Sequence, residues 1–150
     1  MRKKNIKASC EINVAAHEVW AKWTTAEGLQ SFFGKGNDIK LSIGGTYEIY
    51  YLMNNEVGYR GSEGSKILSY LPGKMISFSW TAPPQFREIR KEENKTWVVL
   101  IIDEIAANKT QITLHHMGWP KDRTWDKVYR FYEHAWGFVL HELKKSLAIS

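Results

Sequence analysis

Hydrophobic and polar positions alternate at the start of the chain. Ile6, Ala8, Cys10, Ile12 and Val14 share one face of a strand over residues 6–14. The period then lengthens: Val19, Trp20 and Trp23 recur at helical spacing over residues 16–24. A second short helix is expected over Ala26–Phe33, ending at Gly34. Alternation returns with Ile39, Leu41 and Ile43, which stop at Gly44-Gly45. Tyr47, Ile49, Tyr51 and Met53 follow and stop at Asn54-Asn55. Residues 57–71 hold a further strand interrupted by Gly58, Gly61 and Gly64, and Pro72-Gly73 turns the chain into a strand over 74–80 with Ile76, Phe78 and Trp80 on one face. Pro83-Pro84 opens a polar segment running to Lys95, expected as a mobile loop or a ragged strand.

Thr96–Ile105 is almost continuously apolar and β-branched, which predicts a central strand buried on both faces, with Asp103 and Glu104 exposed at its end. A turn at Asn108-Lys109 leads into Thr110–Met117, where Ile112, Leu114 and His116 share one side. Gly118-Trp119-Pro120 breaks the sheet. Asp122 or Thr124 can cap a final helix over 123–147. Trp125, Val128, Tyr129, Tyr132, Trp136, Val139, Leu143 and Leu147 form its apolar stripe. Only two short helices precede that stripe, so it has to pack along the sheet. The predicted architecture is α+β: a strand, two short helices, then antiparallel strands, about six or seven in all, forming a curved sheet around a long C-terminal helix.

Composition narrows the function classes. A chain of 150 residues fits one domain, residues 1–150. Aromatics are plentiful, with seven Trp, and such rings are costly to expose, so many are expected to line a core or a cavity. No apolar run approaches the roughly 18 residues of a membrane span, and the basic start leads into a strand pattern rather than an apolar leader, so a cytoplasmic protein is expected. The net charge is +5, but only Arg2, Lys3 and Lys4 are contiguous, which reads as a solvated surface and not as a nucleic-acid site. Cys10 is the only cysteine and is read as a small buried hydrophobe without a disulfide.

The ordered set of motifs resembles the helix-grip fold of the START-like, or SRPBCC, superfamily. More narrowly it resembles the branch described after the C-terminal domain of the activator of the heat shock protein ninety ATPase. Ala15-Ala16-His17-Glu18-Val19-Trp20 with Thr24–Phe33 is similar to that branch's opening. So are Gly44-Gly45-Thr46-Tyr47, Tyr70-Leu71-Pro72-Gly73-Lys74 with Phe78-Ser79-Trp80, and Thr110–His116 with Gly118-Trp119-Pro120. In the last helix the matching positions are Gly137 and Leu140–Leu143. The resemblance implies the fold. Its functions range over ligand binding, co-chaperone or stress-related interaction, and cyclase, dehydratase or hydrolase chemistry, because a fold does not fix a function.

The candidate site is a cavity between sheet and final helix that binds a small hydrophobic or aromatic molecule. Its expected lining is Tyr47, Ile49, Tyr51, Phe78, Trp80, Leu100, Ile112, Leu114, His116, Trp125, Tyr129, Tyr132 and Trp136. The alternative is that these rings fill the core. His115 and His116 are adjacent on a strand, point to opposite faces and cannot share a metal, and His116 is either a ligand contact or a satisfied core histidine. His134 and His141 share a helix face opposite the apolar stripe, lack a third ligand and are expected in solvent, so no zinc site is assigned. Phe131 and Phe138 lie off the stripe and are either edge packing or a self-association patch in a monomer or homodimer. No Ser-His-Asp or Cys-His arrangement and no phosphate-cradling glycine loop is recognisable, and no cofactor is expected. Segment 83–95 is placed as a gate to the cavity, and the partners expected are the small molecule and, in the interaction reading, another protein.

Overall fold

The computed structural model describes residues 5–92 and 95–148. Strand β1 (Ile6–Ile12) is followed by helices α1 (Ala16–Thr24) and α2 (Ala26–Gln30). Strands β2 (Gly36–Ile39), β3 (Tyr47–Tyr50), β4 (Ile67–Leu71) and β5 (Met75–Trp80) come next, then a short helix α3 (Arg87–Arg90). The chain ends with β6 (Thr96–Ala106), β7 (Lys109–Met117), a single 3-10 turn (Arg123–Trp125) and α4 (Asp126–Ala148). The fold is the expected α+β helix-grip arrangement, with two short helices after the first strand.

Five strands pair in the order β1-β7-β6-β5-β4, every neighbour antiparallel, and β2 pairs with β3. A bridge between Thr46 and Lys66, with Tyr47 N–H donating to Ser65 C=O at 2.9 Å, joins β3 to the edge of the larger sheet. The sheet lies against α4, which buries Val128, Tyr129, Tyr132, Trp136, Leu140 and Leu143. Local chemistry sets the helix starts. Thr25 Oγ1 accepts from Gly28 N–H at 2.9 Å, and an Asp122 carboxylate oxygen accepts from Thr124 N–H at 2.9 Å, as expected for the cap.

Several expectations are corrected. Strand β6 is not buried on both faces: Val98, Leu100 and Ile102 are buried, whereas Trp97 and Ile101 are about two-fifths exposed. The sheet is covered by α4 on one side only, so the continuous apolar run places half its residues on the outer face. The strand expected through Ile43 stops at Ile39, leaving Leu41 and Ile43 exposed where the chain bends, and Met53 is also exposed beyond the end of β3. Over 57–71 only the last five residues, Ile67–Leu71, form a strand. Helix α2 ends at Gln30, and single turns carry the chain on to Phe33, whose N–H donates to Leu29 C=O at 2.7 Å. Cys10 is half-buried against the core, and burial raises its thiol pKa.

The segment after Pro83, expected as a mobile loop or a ragged strand, is anchored and carries α3. Pro83, Pro84 and Ile89 are buried, and Arg90 extends from α3 into the fold. Its guanidinium donates to Ala82 C=O at 2.6 Å, to Gly58 C=O at 2.9 Å and to a Glu63 carboxylate oxygen at 2.7 Å. Arg87 stacks over the Tyr59 ring at 3.9 Å and pairs with Glu56 at 2.8 Å. Glu93 and Asn94 of this segment, and the basic run at residues 2–4, lie outside the described residues.

Candidate functional site

A cavity of about 570 Å³ opens between α4, the turn after α2 and the inner end of the sheet. It is lined by Phe32, Phe33, Gly34, Tyr51 and Trp80 on one side. Helix α4 supplies the opposite wall from Arg130 to Val139. That volume lies in the range of pockets that hold small organic molecules.

The walls are aromatic and mutually braced. Phe33 stands at the centre, stacked on Tyr51 at 6.2 Å and edge-on to Trp136 at 5.9 Å between ring centroids. Trp80 lies 5.4 Å from Trp136, and Tyr132 stacks on Trp136 at 5.6 Å and 20°. Gly34 is required where the chain passes Tyr51. Its φ is +92°, and a Cβ there would meet Tyr50 C=O at 2.8 Å and Tyr51 Cα at 3.2 Å.

The polar groups of the cavity are few. Tyr132 Oη donates to Thr81 C=O at 2.9 Å, and the Tyr51 phenol shares the cavity wall with it. Burial pushes the Tyr51 phenol up to about 12 and the Tyr132 phenol well above its ordinary value. Both stay protonated near neutral pH, so they serve as hydrogen-bonding groups and not as bases.

Of the residues expected to line the cavity, the structure brings together Tyr51, Trp80, Tyr132 and Trp136. Tyr47, Ile49, Phe78, Leu100, Ile112, Leu114, Trp125 and Tyr129 are buried in the core behind or beside it. They are not among the lining residues, because the layers of rings between sheet and helix fill that space. His116 is sealed off as well. Trp136 Nε1–H donates to His116 Nδ1 at 2.9 Å, which leaves Nε2–H to donate to Thr96 Oγ1 at 2.6 Å, and the Thr96 hydroxyl donates to Trp80 C=O at 3.1 Å. Every polar position of the imidazole is occupied, which is the arrangement of a satisfied core histidine. Burial lowers its pKa to about 3.

The sequence reading missed Phe32, Phe33 and Gly34 as lining because they were read only as the end of a helix. It also left out Arg130, Phe131, His134, Ala135, Phe138 and Val139. The spacing carried the signal: rows 130-134-138 and 131-135-139 run beside the deep pair 132-136 on one helix. His134 is exposed, as expected, but it stands at the cavity rim and not on a face turned away from it. Phe138 is 67% exposed, and Phe131 rests edge-on against Phe86 at 6.2 Å.

The profile of the family described as Activator of Hsp90 ATPase homolog 1-like protein matches residues 13–148. The chain belongs to this family. Solved structures similar to this chain share its fold at low identity. An HSP90 activator from Plasmodium falciparum is 17% identical with a TM-score of 0.76, the match covering 97% of each chain. Protein MLL2253 from Mesorhizobium loti is 15% identical with a TM-score of 0.74, again over 97% of each chain. The Aha1 dimer from Colwellia psychrerythraea is 19% identical with a TM-score of 0.68 over 98% of each. No curated protein matches the sequence. Among the described residues no helix is long and apolar enough to cross a membrane.

Proposed function

We propose that this protein reversibly binds a small hydrophobic molecule with a flat or aromatic body, held between Phe33, Tyr51 and Trp80 on one side and Tyr132 and Trp136 on the other. The observation that carries the reading is the cavity itself. It is open, it holds about 570 Å³, and its walls are mostly apolar and aromatic. A ligand burying about 200 Å² of apolar surface at ~25 cal/mol per Å² gains about 5 kcal/mol before aromatic contacts add to it. With the aromatic contacts offsetting the costs of association, a net gain of about 4–5 kcal/mol corresponds to a Kd of roughly 0.2 to 1 mM. The phenols of Tyr51 and Tyr132 would orient a polar substituent at the inner end. Such a carrier is expected in the cytoplasm.

The test is a titration with N-phenyl-naphthylamine, an uncharged aromatic probe, followed by its own fluorescence. The probe should bind the natural chain, and Ala135→Trp, which extends a large ring from the α4 wall into the cavity, should weaken binding at least about tenfold. Equal binding by the two proteins would place the probe elsewhere and defeat the reading.

A second reading, action on a chaperone ATPase through the protein surface, is favoured by the family match over residues 13–148. It would use the basic surface against an acidic partner and weaken with salt. Co-sedimentation with a purified Hsp90 that is unchanged by salt and by surface Lys substitutions would remove that electrostatic version.

A further inference from the structure

The α4 wall is graded in depth. Tyr132 and Trp136 are buried at its base, Ala135 and Val139 are half-buried above them, and Arg130, His134 and Phe138 are exposed at the rim. Arg130 and His134 are one helical turn apart, about 6 Å along the axis. Arg130 is the one charged side chain among the described lining residues, and none of those residues is acidic. Among the described residues Arg130 makes no ion pair, although Glu133 follows closely on the same helix. The phenols at the inner end are held protonated and add no negative charge.

An apolar cavity with a guanidinium at its mouth that forms no ion pair among the described residues selects by charge as well as shape. Arginine presents a planar fork of donors that fits a carboxylate with two parallel hydrogen bonds, and its field repels a cation. An anion at the rim stays partly hydrated, so the desolvation cost that would oppose a charge deep in the cavity is small. We infer that the ligand of this cavity is an amphipathic anion: a flat apolar body seated among Phe33, Trp80 and Trp136, with a carboxylate at its outer end beside Arg130 and His134. This inference rests on the cavity being a ligand site and adds the chemical class of what it takes.

The test uses three molecules with one ring system: naphthylacetate, naphthylacetamide and naphthylethylamine. Each is titrated calorimetrically into the natural chain and into Arg130→Gln and Arg130→Lys at low salt. The acid should bind at least about fivefold tighter than the amide, an advantage appropriate to one charge-assisted contact at a partly exposed site, and the amine should bind least. In Arg130→Gln the ratio of acid to amide affinity should fall close to one, and in Arg130→Lys part of it should return. Acid and amide binding equally to the natural chain would overturn the anionic class while leaving the cavity a ligand site. A preference that survives in Arg130→Gln would overturn the assignment to Arg130. Failure of all three molecules to bind would overturn both the inference and the ligand reading beneath it.

Discussion

Trp136 Nε1 and His116 Nδ1 lie 2.9 Å apart, so the indole that forms part of the cavity wall is fixed from behind by an imidazole on β7. The contact commits His116 to the tautomer protonated at Nε2 and couples the cavity wall to the end of β7 and, through Thr96, to the start of β6. Because the imidazole is buried, its folded pKa of about 3 lies below the ordinary value of 6.5. The unfolded chain therefore binds a proton that the folded chain refuses between those values. The contribution is neutral above the unfolded value, and stability falls as pH drops through the window.

Denaturation followed from pH 7 to pH 4 should accordingly show a loss approaching ~1.4 kcal/mol per pH unit from this residue below its unfolded pKa. His116→Gln should flatten that slope while lowering stability at pH 7, since a glutamine cannot occupy the positions of both ring nitrogens. An unchanged slope in His116→Gln would show that other groups dominate acid unfolding.

The Arg90–Glu63 pair ties α3 to the loop between β3 and β4. The two side chains are 7% and 17% exposed and their charged atoms are 2.7 Å apart. Burial opposes ionisation of Glu63, but the N–H groups of Arg60 and Gly61 and the Arg90 guanidinium outweigh it and hold its pKa below the ordinary value. Arg90→Met removes one charge and strands the other, so it should cost about 3 kcal/mol by chemical denaturation. The double change Arg90→Met with Glu63→Gln should cost less than the sum of the single changes. Simple additivity would mean that the pair is not coupled.

Gly137 sits in the middle of α4 on an exposed face, and a Cβ there would meet nothing within 4 Å. Its replacement by alanine should stabilise the protein by about 0.5–1 kcal/mol through helix propensity alone, read as a higher midpoint of thermal unfolding. Destabilisation would contradict the reading of position 137 as an unstrained, exposed helix site.

The backbone at Gly34 lies in the left-handed region and passes within contact of Tyr51. Gly34→Ala should destabilise by at least about 1 kcal/mol and lower probe affinity, because Phe33 and Tyr51 must separate to admit the methyl group. Unaltered stability and binding would show that the turn after α2 yields freely.

The fold was largely legible in the sequence because its elements repeat with clear periods. The stripe of α4, the Ile76-Phe78-Trp80 alternation and the Asp122 cap each define an element without help from distant residues. Over β6 the apolar run records β propensity and not which face is covered, and only the three-dimensional arrangement leaves Trp97 about two-fifths exposed. The cavity was less legible. Inward direction could be read from alternation, but depth could not, so His116 and Leu114 were indistinguishable from Tyr51 until the packed layers separated core from lining. Phe33 was hidden for another reason: it lies in a turn, where no period marks a face.

The central claim is that an apolar ligand occupies the space between Phe33 and Trp136. Indole N–H resonances test it most directly, because Trp80 and Trp136 line the cavity while Trp97 lies on the opposite face of the sheet. Proton–nitrogen spectra of the labelled protein should be recorded during titration with N-phenyl-naphthylamine, with assignments from single Trp→Phe variants. The expected result is a saturable movement of the Trp80 and Trp136 signals with Trp97 unmoved. Movement confined to Trp97, or no movement of Trp80 and Trp136 at saturating probe, would contradict the account.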